Sequence, residues 1–128
     1  MKGQFSILLF VIFAFAGCKE KETSGNSSLN ATTFAEMISE PSEKIILDVR
    51  TREEFYEGHI QYARLINFYD ENFKEQVSAL DKQLPVYVYC ASGVRSDKVA
   101  TILKQEGFRE VYVLEKGLKE WNQSELFK

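Results

Sequence analysis

The sequence is poor in the residues that cross-link chains or move protons. Among 128 residues there are two cysteines, Cys18 and Cys90, and one histidine, His59. With a single imidazole, a cysteine has little chance of a His partner as general base, so any activation of a thiol here is electrostatic. Excess positive charge is also missing. The net charge is −3 and the pI about 5.3, which gives no basic face for a nucleic acid. No apolar run reaches the ~20 residues that span a bilayer, and no internal repeat is present. What remains is an ordinary globular balance, 45% hydrophobic and 27% charged, of a length that suits one domain. Neither a metal nor a cofactor is expected.

The N-terminal segment, MKGQFSILLFVIFAFAGCKEKETSGNSS, stands apart from that balance. Lys2 precedes a predominantly apolar segment of twelve residues, Phe5 to Ala16, the size of a signal-peptide core. The segment ends in Phe15-Ala16-Gly17-Cys18. Small residues directly before a cysteine resemble the bacterial lipoprotein signal, although Phe15 stands where that signal usually has leucine. The resemblance implies cleavage after residue 17, lipid on the Cys18 thiol, and a protein anchored to a membrane of the bacterial cell envelope, facing the periplasm or the surface. An ordinary Cys18 in a secreted or membrane-anchored form is the alternative. Residues 18–27 are polar and have nothing to bury, so they read as a flexible tether. The folded unit is expected over residues 28–128.

Lipid on Cys18 would leave Cys90 without an intramolecular partner. A lone thiol in an exported protein is either reactive or buried and inert. Its surroundings favour the first. The order of patterns is helix from Asn30 or Thr32 with Phe34, Met37 and Ile38 on one face, strand KIILDV, and short helix opened by a Thr51–Glu54 capping box. Strand ARLINF, helix Glu71 to Gln83, strand VYVYC, helix Ser96 to Glu106, strand EVYVL and a short helix at LKEWN follow. Such alternation predicts an α/β fold, a central parallel sheet with helices on both faces. Ligands bind beyond the carboxyl ends of such strands, and Cys90 lies at that edge. The next residues, Ala91, Ser92, Gly93 and Val94, are small and lead into a helix N-terminus. Their amides, with that of Ser96 and the Arg95 cation, favour thiolate over thiol.

Three segments in order, ILDVRTREEFYEGHI, CASGVRS and GFREVYVLEKGLKEW, resemble the front, loop and tail signatures of the rhodanese, or sulfurtransferase, family. The likeness runs from about Ser28 to Asn122. It implies a single rhodanese-like domain that moves sulfane sulfur from a donor such as thiosulfate to a thiol or protein acceptor through a persulfide on Cys90. Ala91 to Ser96 would hold the charged sulfur, and Arg95 would bind the anionic donor. The loop from Cys90 to Arg95 has six residues, whereas phosphatases of related architecture use one more. A tethered sulfur carrier or an interaction module with little turnover is the other reading.

The remaining motif residues have structural readings. Asp48 is expected to bond backbone N–H groups at a turn. Arg50 and Glu54 are expected to pair across that turn, and His59 to act as a structural hydrogen-bonder. Phe68 and Tyr69 are candidates for the pocket wall, with core packing the competing role for Phe68. Lys116 stands where the family often has a first glycine and is a candidate second cation on the rim, against a plain solvent-facing lysine. Gln61-Tyr62 replaces the usual Pro-Gly, which alters a turn.

Overall fold

The computed structural model describes residues 26–128 together with Gly17; residues 1–16 and 18–25, with Cys18 and most of the expected signal and tether segments, lie outside the described residues. The strands are β1 (Ser27–Leu29), β2 (Ile45–Asp48), β3 (Arg64–Leu65), β4 (Val86–Tyr89) and β5 (Val111–Leu114). They form one parallel sheet in the order β1-β5-β4-β2-β3. The four α-helices among the described residues are α1 (Ala31–Ser39), α2 (Arg52–Glu57), α3 (Phe73–Ser78) and α4 (Val94–Gln105). Two short 3-10 turns follow β5, Gly117–Glu120 and Ser124–Leu126. No helix among the described residues is long and apolar enough to cross a membrane.

The two faces of the sheet separate by alternation along each strand. Leu47 and Val49 of the β2 segment, Val86, Val88 and Cys90 of the β4 segment, and Val111 and Val113 of β5 face α3 and α4. Ile46, Tyr87, Tyr89 and Leu114 face the opposite side, where Phe34 of α1 and Trp121 pack. The Phe34 and Trp121 rings meet edge to face at 6.2 Å. Each fully buried Val, Leu or Phe contributes roughly 1.5–3 kcal/mol. The buried central strands β2 and β4 are therefore rigid supports for the loops at their carboxyl ends.

Local chemistry fixes the helix starts. The Asn30 side chain accepts from Thr33 N at the start of α1. Thr51 and Glu54 form a complete capping box on α2. Gly93 caps α4 at φ 95°, so α4 begins at Val94, two residues before the expected start. The helix expected over 71–83 is shorter, Phe73–Ser78. There Asp81 takes over the backbone: its side chain accepts from Gln83 N and its carbonyl from Leu84 N, a turn that ends helical pairing. The turn at Gln61-Tyr62 places Tyr62 at φ 65° and 86% exposed.

Candidate active site

Cys90 follows the last residue of β4 and is completely buried. Its Sγ accepts from Gly93 N at 3.1 Å and from Ser96 N at 3.5 Å, and lies 3.4 Å from Ser96 Oγ. Burial pushes the Cys90 thiol up, but the Ser96 hydroxyl and the amides of Ser96, Ser92 and Gly93 outweigh it and leave the thiol below its ordinary range. Ser96 Oγ also lies 3.1 Å from the Gly93 carbonyl, to which it donates. Its one proton can serve the carbonyl or the sulfur.

The loop is held from outside by the tail of β5. Gly93 needs its positive φ, and a Cβ there would collide with the Glu115 carbonyl. Gly117, at φ 60°, lies so close that a Cβ would sit 2.5 Å from the Cys90 carbonyl oxygen. Leu118 N and Lys119 N donate to the carbonyls of Cys90 and Ala91, each at 3.0 Å. The backbone of residues 115–119 thus braces the cradle by approaches that only small residues permit. Sequence reading missed Glu115 and Gly117; the sole signal was a glycine next to Lys116. Lys116 itself is exposed, on the turn that faces the loop.

The charged residues pair differently from expectation. Arg50 does not reach Glu54. Its Nε and Nη2 bond Asp48, at 2.7 Å for the shortest contact, and Nη2 also donates to the Gly58 carbonyl. Asp48 accepts from Arg50 N as well, the turn bond expected of it. Both groups are buried two residues apart at the end of β2, so short-range pairing wins. Glu54 instead grips Arg95: Nη1 and Nη2 each lie 2.8 Å from a carboxylate oxygen. Arg95 is therefore committed to a protein carboxylate, where a free donor-binding cation was expected. Its guanidinium also lies 5.8 Å from the centroid of the exposed Tyr69 ring. Arg95 holds the Glu54 carboxyl down at about 2, helped by Thr51 against partial burial.

His59 stacks on Phe55 at 3.7 Å with Nδ1 3.0 Å from the Phe55 carbonyl. Phe68 is half-buried and meets Phe73 edge to face, a core contact. Tyr89, the last residue of β4, accepts from Ile60 N through its hydroxyl and lies under Arg50. Among the described residues no group of three or more His, Cys, Asp or Glu gathers as a metal site would.

Fold and site together define a parallel α/β domain with a thiol in an amide cradle at the sheet's carboxyl edge. Residues 30–124 match the rhodanese-like domain family, and the chain belongs to it. It is 38% identical over 77 residues to thiosulfate sulfurtransferase GlpE of Coxiella burnetii, covering 60% of this chain and 70% of that protein. It is 35% identical over 93 residues to tRNA uridine(34) hydroxylase of Protochlamydia amoebophila, covering 66% of this chain but only 28% of that protein. A solved rhodanese-like domain protein from Staphylococcus aureus superposes with a TM-score of 0.67 at 30% identity, over 75% of this chain and 91% of that one.

Proposed function

We propose that the chain is a sulfurtransferase that carries sulfane sulfur as a persulfide on Cys90. The observation that supports it is the convergence of the Gly93 and Ser96 amides and the Ser96 hydroxyl on one buried sulfur atom. The similarity to a thiosulfate sulfurtransferase points the same way. The Cys90 thiolate attacks the outer sulfur of thiosulfate. The S–S bond of the donor breaks, sulfite leaves with the electron pair, and Cys90 keeps one sulfur as Cys–S–S⁻. An acceptor thiolate or cyanide then attacks that terminal sulfur and releases the Cys90 thiolate. Amide donors aimed at the site stabilise negative charge on sulfur at each stage, the logic of an oxyanion hole. Lys116 on the facing turn adds a cation that favours anionic donors.

The test is intact-mass measurement after incubation with thiosulfate or polysulfide. One added sulfur atom, absent in Cys90→Ser, is expected; no gain with either donor overturns the reading. Loading without turnover, when cyanide or thiol acceptors are supplied, makes the chain a carrier.

We also propose that residues 1–17 direct lipidation of Cys18 and that residues 18–26 tether the domain to a cell-envelope membrane; Ser27, expected in the tether, already pairs with Tyr112 in β1. Acyl chains anchor durably because each buried CH2 contributes ~0.8 kcal/mol. Growth with an alkyne fatty acid is expected to label the protein, and Cys18→Ala to abolish the label. An unlabelled wild type overturns it.

A further inference from the structure

The cation of the Cys90 loop is cancelled within the protein. Arg95 is gripped by both oxygens of Glu54, and Glu54 is itself fixed: its Oε2 accepts from Thr51 N at 2.9 Å and from Thr51 Oγ1 at 3.1 Å. The clamp joins the start of α2 to the cradle across 41 residues of sequence. A carboxylate so bound stays ionised at neutral pH, so the pair carries no net charge. Attraction toward an incoming group then comes from the amide dipoles, which act over a few ångströms, and from Lys116 on the facing turn, without a contribution from Arg95. A net charge would reach about a Debye length, roughly 10 Å. Two exposed apolar side chains share the neighbourhood, Val94 in the loop and Tyr69 beside Arg95.

We propose that Glu54 is a positioning residue that sets the charge preference of the site: by cancelling Arg95 it suppresses selection for doubly charged anions and lets singly charged donors with an organic group compete. The donor half of this rests on the sulfur-transfer reading; the charge cancellation is a property of the surroundings of Cys90 and is measured independently.

The measurement is the rate of alkylation at Cys90 by iodoacetate, an anion, relative to iodoacetamide, which is neutral, followed on the Cys90 peptide of the full chain. In both reactions the thiolate forms the C–S bond and iodide leaves with its electron pair. The ratio therefore cancels any change in thiolate fraction and reads the local potential. Glu54→Gln keeps a residue able to close the capping box, and its amide oxygen can still accept from Arg95, which also keeps Tyr69. The ratio is expected to rise roughly threefold or more in Glu54→Gln. It is expected to fall in Arg95→Gln, where the carboxylate loses its cation. Opposite displacements are not what general loosening produces. An unchanged or lowered ratio in Glu54→Gln overturns the proposal. So does a folded protein whose Cys90 neither reagent reaches, because a closed site has no charge preference to set.

A second arm compares thiosulfate with methanethiosulfonate, the same tetrahedral sulfur with a methyl in place of one oxyanion. Attack on the outer sulfur expels sulfite from one and methanesulfinate from the other. The kcat/KM ratio is expected to shift toward thiosulfate in Glu54→Gln through KM, with kcat little changed; equal losses on both donors count against the proposal. If the wild type accepts sulfur from neither, the sulfur-transfer reading fails while the alkylation ratios still decide the role of Glu54.

Discussion

At the scale of single residues, Ser96 and Gly93 make the cradle. Ser96 donates its amide to the sulfur and sets its hydroxyl oxygen 3.4 Å away. A hydrogen bond to a charged group contributes about 1.5–3 kcal/mol. Ser96→Ala is therefore expected to move the midpoint of the Cys90 alkylation pH profile upward by about one pH unit or more. The sign follows from fewer donors to the thiolate. The same linkage bears on stability. A thiol whose folded value is depressed adds stability above its unfolded value, ~8.5, and loses it as pH falls through the folded value. Gly93→Ala tests the backbone instead. It meets both a positive φ and the Glu115 carbonyl, and a cost of at least ~2 kcal/mol is expected from urea unfolding. A loss below ~0.5 kcal/mol, the range of an innocuous surface change, would show that the loop and the β5 turn separate easily.

At the scale of elements, α2 matters for what its first turn holds. None of its residues is buried. Its place is fixed by the Thr51 cap and the Glu54–Arg95 pair. The Glu54 carboxyl lies at about 2 in the folded chain, against an unfolded value of about 4.3. A depressed carboxylate contributes stability above the unfolded value and loses it as pH falls toward the folded one. The urea midpoint of the wild type is therefore expected to exceed that of Glu54→Gln above about pH 5 and to converge with it as pH falls toward 2. A gap constant down to pH 2 would assign the stability to packing. Elements with strong local signals were legible in the sequence: α1 by Asn30 and its apolar face, α2 by its capping box, and β4 by VYVY. Elements defined by a distant partner were not. β1 is three residues, SSL, and exists because Ser27 to Leu29 align with Tyr112 to Leu114. β3 shrank from ARLINF to Arg64–Leu65 because it has a single neighbour, β2. In the site, Cys90 and its loop were legible because six adjacent residues carry the signal. The Glu54–Arg95 clamp and the Gly117 brace were not, because sequence spacing carries no information about which charges meet across the fold.

At the scale of the whole molecule, the C-terminal segment straps residues 58–61, which connect α2 to β3. Lys128 and His59 exchange backbone hydrogen bonds at 2.8 Å, Gln61 N donates to the Leu126 carbonyl, and Ile60 bridges Phe127 antiparallel. Phe127 lies over Gly58. The strapped segment, 58–61, then serves the interior: the Gly58 carbonyl accepts from Arg50, and Ile60 N donates to the Tyr89 hydroxyl. Burial raises the Tyr89 phenol well above its ordinary value, so that hydroxyl stays neutral. Arg50 in turn sits just beyond β2, ahead of the helix α2 that carries Glu54, and Tyr89 ends β4, directly before Cys90. Deleting residues 124–128 is expected to have graded effects under hydrogen exchange. The His59 and Gln61 amides lose their acceptors and should exchange at least about tenfold faster. The Ile60 amide keeps Tyr89 and should change less. The Gly93 and Ser96 amides, held by the sulfur and braced by Gly117, should keep their protection. Uniform acceleration at all five amides would show that the strap stabilises the domain globally. Acceleration confined to His59 and Gln61 would show that the cradle is supported by the sheet and the β5 turn alone.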